Sequence, residues 1–199
     1  WLTLLLVIIG LILLGFGLRA LYKKFAERVK YASAEKKSLN AVIFEIRVPK
    51  NNEVESQAAD QMFSSLLSIG SGDKSNNFKD VFKAKSFVSF EIVSLPGSIR
   101  FFVVASKNVA NTVEKAINGS YPSAEVIISK EYNIFSDGSS VEYAALKLES
   151  DAFKPIRAYD ELSTDTMSTI LSPMSKLGPN EAIAYQVLIS QSSGGWRNK

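Results

Sequence analysis

The sequence predicts an α+β fold in which one transmembrane helix precedes a ferredoxin-like sheet domain. Three observations predict it. The first 18 residues, WLTLLLVIIGLILLGFGL, carry no charge. Residues 41–130 alternate strand-like and helix-like hydrophobic periods in the order βαββαβ. Between the second and third strand patterns stands a Pro96-Gly97 pair, a strong turn signal.

At about 1.5 Å per residue the uncharged run is long enough to cross roughly 27 Å of hydrocarbon. A secretory signal peptide needs a basic segment before its apolar stretch and a small-residue cleavage site after it. Here the apolar run opens the chain and GLRALYKKF follows. Gly10, Gly15 and Gly17 suit a membrane helix better than a buried soluble one, and Trp1 suits the interfacial aromatic belt. The chain opens without Met, so the expectation is a trimmed natural N-terminus.

Residues 19–40 form a basic juxtamembrane helix or linker. Arg19, Lys23, Lys24, Arg28, Lys30, Lys36 and Lys37 stand against Glu27 and Glu35, a net charge of +5. That flank predicts a cytoplasmic side after the helix, by the positive-inside rule. Arg19, Lys23, Lys24, Arg28 and Lys30 are the candidate membrane-surface contacts, each cation near anionic lipid contributing about 1 kcal/mol. Leu21, Phe25 and Val29 recur at four-residue steps, so the segment can lie on the bilayer or rise from it as a stalk. The absence of cysteine suits a reducing compartment.

In residues 41–48, AVIFEIRV, the residues Val42, Phe44, Ile46 and Val48 alternate with Glu45 and Arg47, the pattern of a half-buried strand that Pro49 ends. A helix is predicted over 52–69, with Asn52 as cap and Val54, Ala58, Met62, Phe63, Leu66 and Leu67 on its apolar side. GSGDKSNNFKD (70–80) has loop composition. FVSFEIV (87–93) and IRFFVVA (99–105) make the hairpin around Pro96-Gly97. A helix follows with Val109, Val113, Ala116 and Ile117 on one face, capped by Ser106 or Asn108 and stopped at Gly119. SAEVIIS (123–129) closes the unit as a strand. The expected sheet order is 4-1-3-2, with Phe44, Ile46, Phe90, Ile92, Phe101 and Val103 facing the helices and Phe63 buried among them.

Residues 131–199 read as a second, partial β-α-β unit after the turn at Asp137-Gly138. Its parts are a strand over 141–149, a helix over 163–177 kinked at Pro173, and a strand over 181–190. Either that last strand joins the first sheet or the natural chain continues beyond Lys199.

The chemistry is sparse. There is no His and no Cys, which removes the usual general base near neutral pH, the commonest zinc ligands and every thiol mechanism. No catalytic, cofactor-binding or metal-ligating residue is identified, and no cofactor is expected. GSGDKS misses the G-x-x-x-x-G-K-[ST] phosphate loop, because Asp73 separates Gly72 from Lys74. NGS at 118–120 is a glycosylation sequon only in a secreted protein and reads better as a helix stop. Sequence pI is near 9.0, yet residues 41–199 hold 16 Lys and Arg against 18 Asp and Glu, a net −2. The basic character is juxtamembrane, so no nucleic-acid binding is expected. Phe101 and Phe102 sit where RNA-recognition domains carry stacking aromatics, but the Gly-rich aromatic motif is missing. Phe87, Val93, Phe102 and Val104, on the sheet face away from the helices, are instead a candidate protein-contact patch.

A basic-flanked membrane helix followed by phrases such as EIRVPK, SFEIV and YPSAE resembles the N-terminal region of bacterial type IV secretion or conjugative coupling ATPases. The resemblance spans nearly the whole chain and no catalytic motif carries it. It implies a noncatalytic anchoring and assembly module at the bacterial inner membrane, single-pass, with its soluble part in the cytoplasm. It also implies homo-oligomerisation through a P-loop motor absent from this chain, and contact with other secretion-system proteins. The residues alone leave open a stand-alone membrane scaffold or sensor whose cytoplasmic domain binds a protein or small ligand.

Overall fold

The computed structural model describes residues 1–66, 86–147, 149 and 161–190. Within them the fold is mixed α+β, with four helices and one five-stranded antiparallel sheet. The elements in chain order are α1 (Leu2–Ser38), β1 (Ala41–Arg47), α2 (Gln57–Leu66), β2 (Phe87–Leu95), β3 (Ser98–Ser106), α3 (Ala110–Ser120), β4 (Glu125–Ser129), α4 (Thr166–Met174) and β5 (Ile183–Ser190).

The apolar run and the basic segment form one unbroken helix, α1. Among the described residues, no helix is long and apolar enough to cross a membrane, so the transmembrane helix expected over residues 1–18 is not supported by them; the side chains of Leu2, Leu5 and Ile8 lie outside the described residues. The described side chains of α1 are nearly all exposed.

The sheet order is β4-β1-β3-β2-β5. The predicted 4-1-3-2 order holds, and β5 extends it at the β2 edge. The register aligns Phe44 with Val103 and Val103 with Phe90, which puts all three on one face; Ile46, Phe101 and Ile92 form the adjoining row. That face meets α2 and α3. Phe44, Val88, Val103 and Ala105 are buried there with Met62 of α2 and with Val113 and Ile117 of α3, residues whose helical spacing demanded a common apolar floor, and with Ala110, which lies outside the predicted apolar face. The hairpin turns where expected, and Gly97 takes φ +80, a left-handed value that its lack of a Cβ makes inexpensive.

Several expectations are corrected. The second helix starts at Gln57, not Asn52, because Asn52 is used in a turn: its N–H donates to the Pro49 carbonyl and its side chain accepts from Ser123 at 3.4 Å. Phe63 is 41% exposed rather than buried, resting its ring edge-on against Phe90 at 5.2 Å, while its neighbour Met62 fills the core. Phe101, in the row farther from the core, is also largely exposed. Neither Ser106 nor Asn108 caps α3. Ser106 instead accepts the Phe87 N–H at 3.0 Å, and Asn108 donates to Ser86 at 2.9 Å, so both fasten the start of β2.

Pro173 lies in the last turn of α4, which ends at Met174 and so is shorter than the predicted 163–177. Asp165 caps α4, accepting from the Met167 N–H. No strand forms over 141–147: Val141, Tyr143 and Leu146 are exposed, with no neighbouring strand among the described residues to complete a ladder. The strand near 181–190 joins the first sheet, pairing antiparallel with β2 from Phe87↔Ser190 to Ser94↔Ile183. GSGDKS lies outside the described residues.

Candidate functional site

The face of the sheet turned away from α2 and α3 carries an unexpected row. The cross-strand register places Glu45, Phe102, Glu91 and Gln186 side by side across β1, β3, β2 and β5. Strand alternation alone reads a Glu here as solvated, yet Glu91 is only 6% exposed. A buried carboxylate is costly unless donors surround it. Glu91 has three. Ser89 donates to one carboxylate oxygen at 2.7 Å, Gln186 donates to the same oxygen at 3.0 Å, and the Tyr132 hydroxyl donates to the other through a short hydrogen bond.

Tyr132 comes from the irregular segment that follows β4. Its ring stacks on Phe102 at 4.6 Å with the planes 27° apart. Burial, followed by the hydrogen bond to the Glu91 carboxylate and its charge, pushes the Tyr132 hydroxyl far above the ordinary tyrosine range. It therefore remains a neutral donor rather than a base. Ser89 spends its proton on Glu91 and is itself buried. The arrangement is a fastening: one carboxylate joins β2, β5 and the post-β4 segment.

This cluster covers part of the predicted contact patch. Phe102 is 2% exposed and Val93 0%, and Phe87 and Val104 are half-buried. Tyr132 lies over Phe102, while Val93 sits between Arg100 and Ala184, its register partners on β3 and β5. The chain covers much of this surface itself. The signal for it was weak in the sequence, since Tyr132 lies 41 residues from Glu91 and Gln186 lies 95.

At the sheet's other end, Arg47 donates to Glu45 at 3.0 Å. The hydrogen bond to Glu45 and then its charge raise the Arg47 pKa further. Of the predicted membrane-surface cations, Arg19, Lys23, Lys24 and Arg28 are exposed along α1, and the Lys30 side chain lies outside the described residues. NGS at 118–120 closes the last turn of α3. Among the described residues no group of His, Cys, Asp and Glu could hold a metal ion.

No curated protein and no solved structure matches the chain. A family model matches residues 19–199, beginning at the residue that follows the uncharged run, and so the chain belongs to the family described as a domain of unknown function, DUF8128.

Proposed function

We propose that this chain is a single-pass membrane anchor bearing a cytoplasmic, noncatalytic α+β assembly domain, the N-terminal module of a translocating ATPase of the type IV secretion or conjugation kind. One observation carries the anchoring part. At Leu18-Arg19, inside one unbroken helix, 18 uncharged residues give way to a segment of net charge +5. An uncharged helical stretch of that length satisfies its backbone internally and matches the hydrocarbon thickness, and the first cations beyond it, from Arg19, meet anionic headgroups. Counted whole, including Leu2, Leu5 and Ile8, the run has the length and composition of a span. The polar cluster around Glu91 supports the noncatalytic part, since its carboxylate, hydroxyl and amide groups are committed to one another.

Membrane fractions from bacteria expressing the chain test this directly. Carbonate washing should leave it in the pellet, and an alkaline-phosphatase fusion at Lys199 should be inactive. Release by carbonate would remove the anchor; an active phosphatase would reverse the orientation. The competing reading is a stand-alone membrane scaffold or sensor. A G-x-x-x-x-G-K-[ST] motif encoded downstream of Lys199 favours the motor-associated role, and a stop codon soon after it favours the scaffold.

A further inference from the structure

We infer that the part of α1 beyond the bilayer pairs with the same segment of a second copy of this chain, as a parallel coiled coil. The inference rests on the membrane reading above. Leu18, Tyr22, Phe25, Val29 and Ala32 recur at alternating steps of four and three, the 3.5-residue period of a left-handed coiled-coil seam. Phe25, beyond the span, is 63% exposed, so the chain's own described residues leave most of its apolar surface uncovered.

The continuity of α1 decides between the occupants. A helix that crosses a bilayer lies down on its surface only by breaking, and breaks are found at Pro, at Gly-Ser pairs or at bulges. α1 runs unbroken from Leu2 to Ser38, it contains no Pro, and its glycines, Gly10, Gly15 and Gly17, all precede Arg19. Residues 19–38 therefore stand off the membrane by about 30 Å at 1.5 Å per residue. The stripe from Tyr22 to Ala32 then meets water, not lipid, while Leu18 ends the span.

A second copy is the occupant that fits. Anchoring in one bilayer holds every α1 parallel, with Phe25 and Val29 at the same height in each copy, and confines the copies to a plane, which raises their effective concentration. The seam positions from Leu18 to Ala32 carry no charge. Arg19, Lys23 and Lys24 fall outside the stripe, so like charges are not forced together when two copies meet.

The chain has no cysteine, which makes single-cysteine scanning clean. Phe25→Cys and Val29→Cys probe the seam; Lys23→Cys and Tyr31→Cys probe the outer side. The full chain is expressed in bacterial membranes, oxidised with copper-phenanthroline and resolved without reductant. Disulfide-linked dimer should form several-fold more readily at positions 25 and 29 than at 23 and 31. Equal yields at all four positions, or no dimer at 25 and 29, would overturn the inference. Carbonate washing of the same samples separates the two readings: chain in the pellet without seam cross-links removes the coiled coil alone, whereas chain in the supernatant removes the membrane anchor and the coiled coil together.

Discussion

Tyr132→Phe removes one hydroxyl and leaves one oxygen of the buried Glu91 carboxylate without its protein donor. A hydrogen bond to a charged group contributes about 1.5–3 kcal/mol net, and an orphaned buried acceptor costs about as much. Tyr132 is only half-buried, so water replaces part of the lost bond, and the expected loss is about 1–2 kcal/mol. Tyr132→Ala also removes the stack on Phe102 at 4.6 Å, which adds about 0.5–1.5 kcal/mol beyond the buried area. In urea unfolding of the full chain in mild detergent, with a slope of about 2 kcal/mol/M, Tyr132→Phe should lower the midpoint by about 0.5–1 M, and Tyr132→Ala by more. The alkaline limb supplies an independent check. The native hydroxyl holds its proton above the range in which unfolded tyrosines ionise, near pH 10. Its stabilising contribution is thus complete below about pH 10 and is lost as pH rises toward the native value, so Tyr132→Phe should show a shallower alkaline decline. Midpoints of both variants within about 0.1 M of the parent would refute the fastening.

Three further outcomes follow from the fold. Phe44→Ala, at the centre of the core, should cost about 3–5 kcal/mol in the same unfolding assay, whereas Phe101→Ala, on the outer row of the same face, should cost much less. Gly97→Ala forces a Cβ onto a left-handed turn residue and should destabilise by about 1–2 kcal/mol, with no clash to relieve, since nothing stands within 4 Å of the added atom. Calorimetry of the chain with ATP and magnesium should show no tight binding; micromolar affinity that disappears with Lys74→Ala would establish GSGDKS as a phosphate site.

The helix-facing side of the sheet was legible because it is written locally. Phe44 and Ile46 alternate with Glu45, Val113 and Ile117 repeat at one turn, and Pro96-Gly97 marks the hairpin, each signal lying within a few residues of its effect. The opposite face was not legible. Glu91 alternates with Phe90 and Ile92 as a solvated residue would, and only Tyr132 and Gln186, remote in sequence, reveal that it is covered. Residues 141–149 erred in the other direction: alternation describes a strand's two faces but not the neighbour that must bond its edges, and residues 141–147 have none among the described residues. The capping expectations failed for a related reason, since Ser106 and Asn108 satisfy β2 and the residue before it instead of the nearby helix.

The attachment of β5 bears on the order in which the chain assembles. β1, β2, β3 and β4 with α2 and α3 form a set whose connections are comparatively short, and among the described residues its apolar core contains nothing from beyond Val126. β5 reaches β2 only after a far longer loop has closed, with 95 residues separating Gln186 from Glu91. Closure entropy grows as about (3/2)RT ln n, so this pairing is reached late and rewarded only once its ladder and the Glu91 contacts form. Run in reverse, the same topology makes β5 and the Tyr132 segment the first part to open. Amides of β5 are therefore expected to exchange faster than those of β1 and β3, through an opening that leaves the α2–α3 core in place.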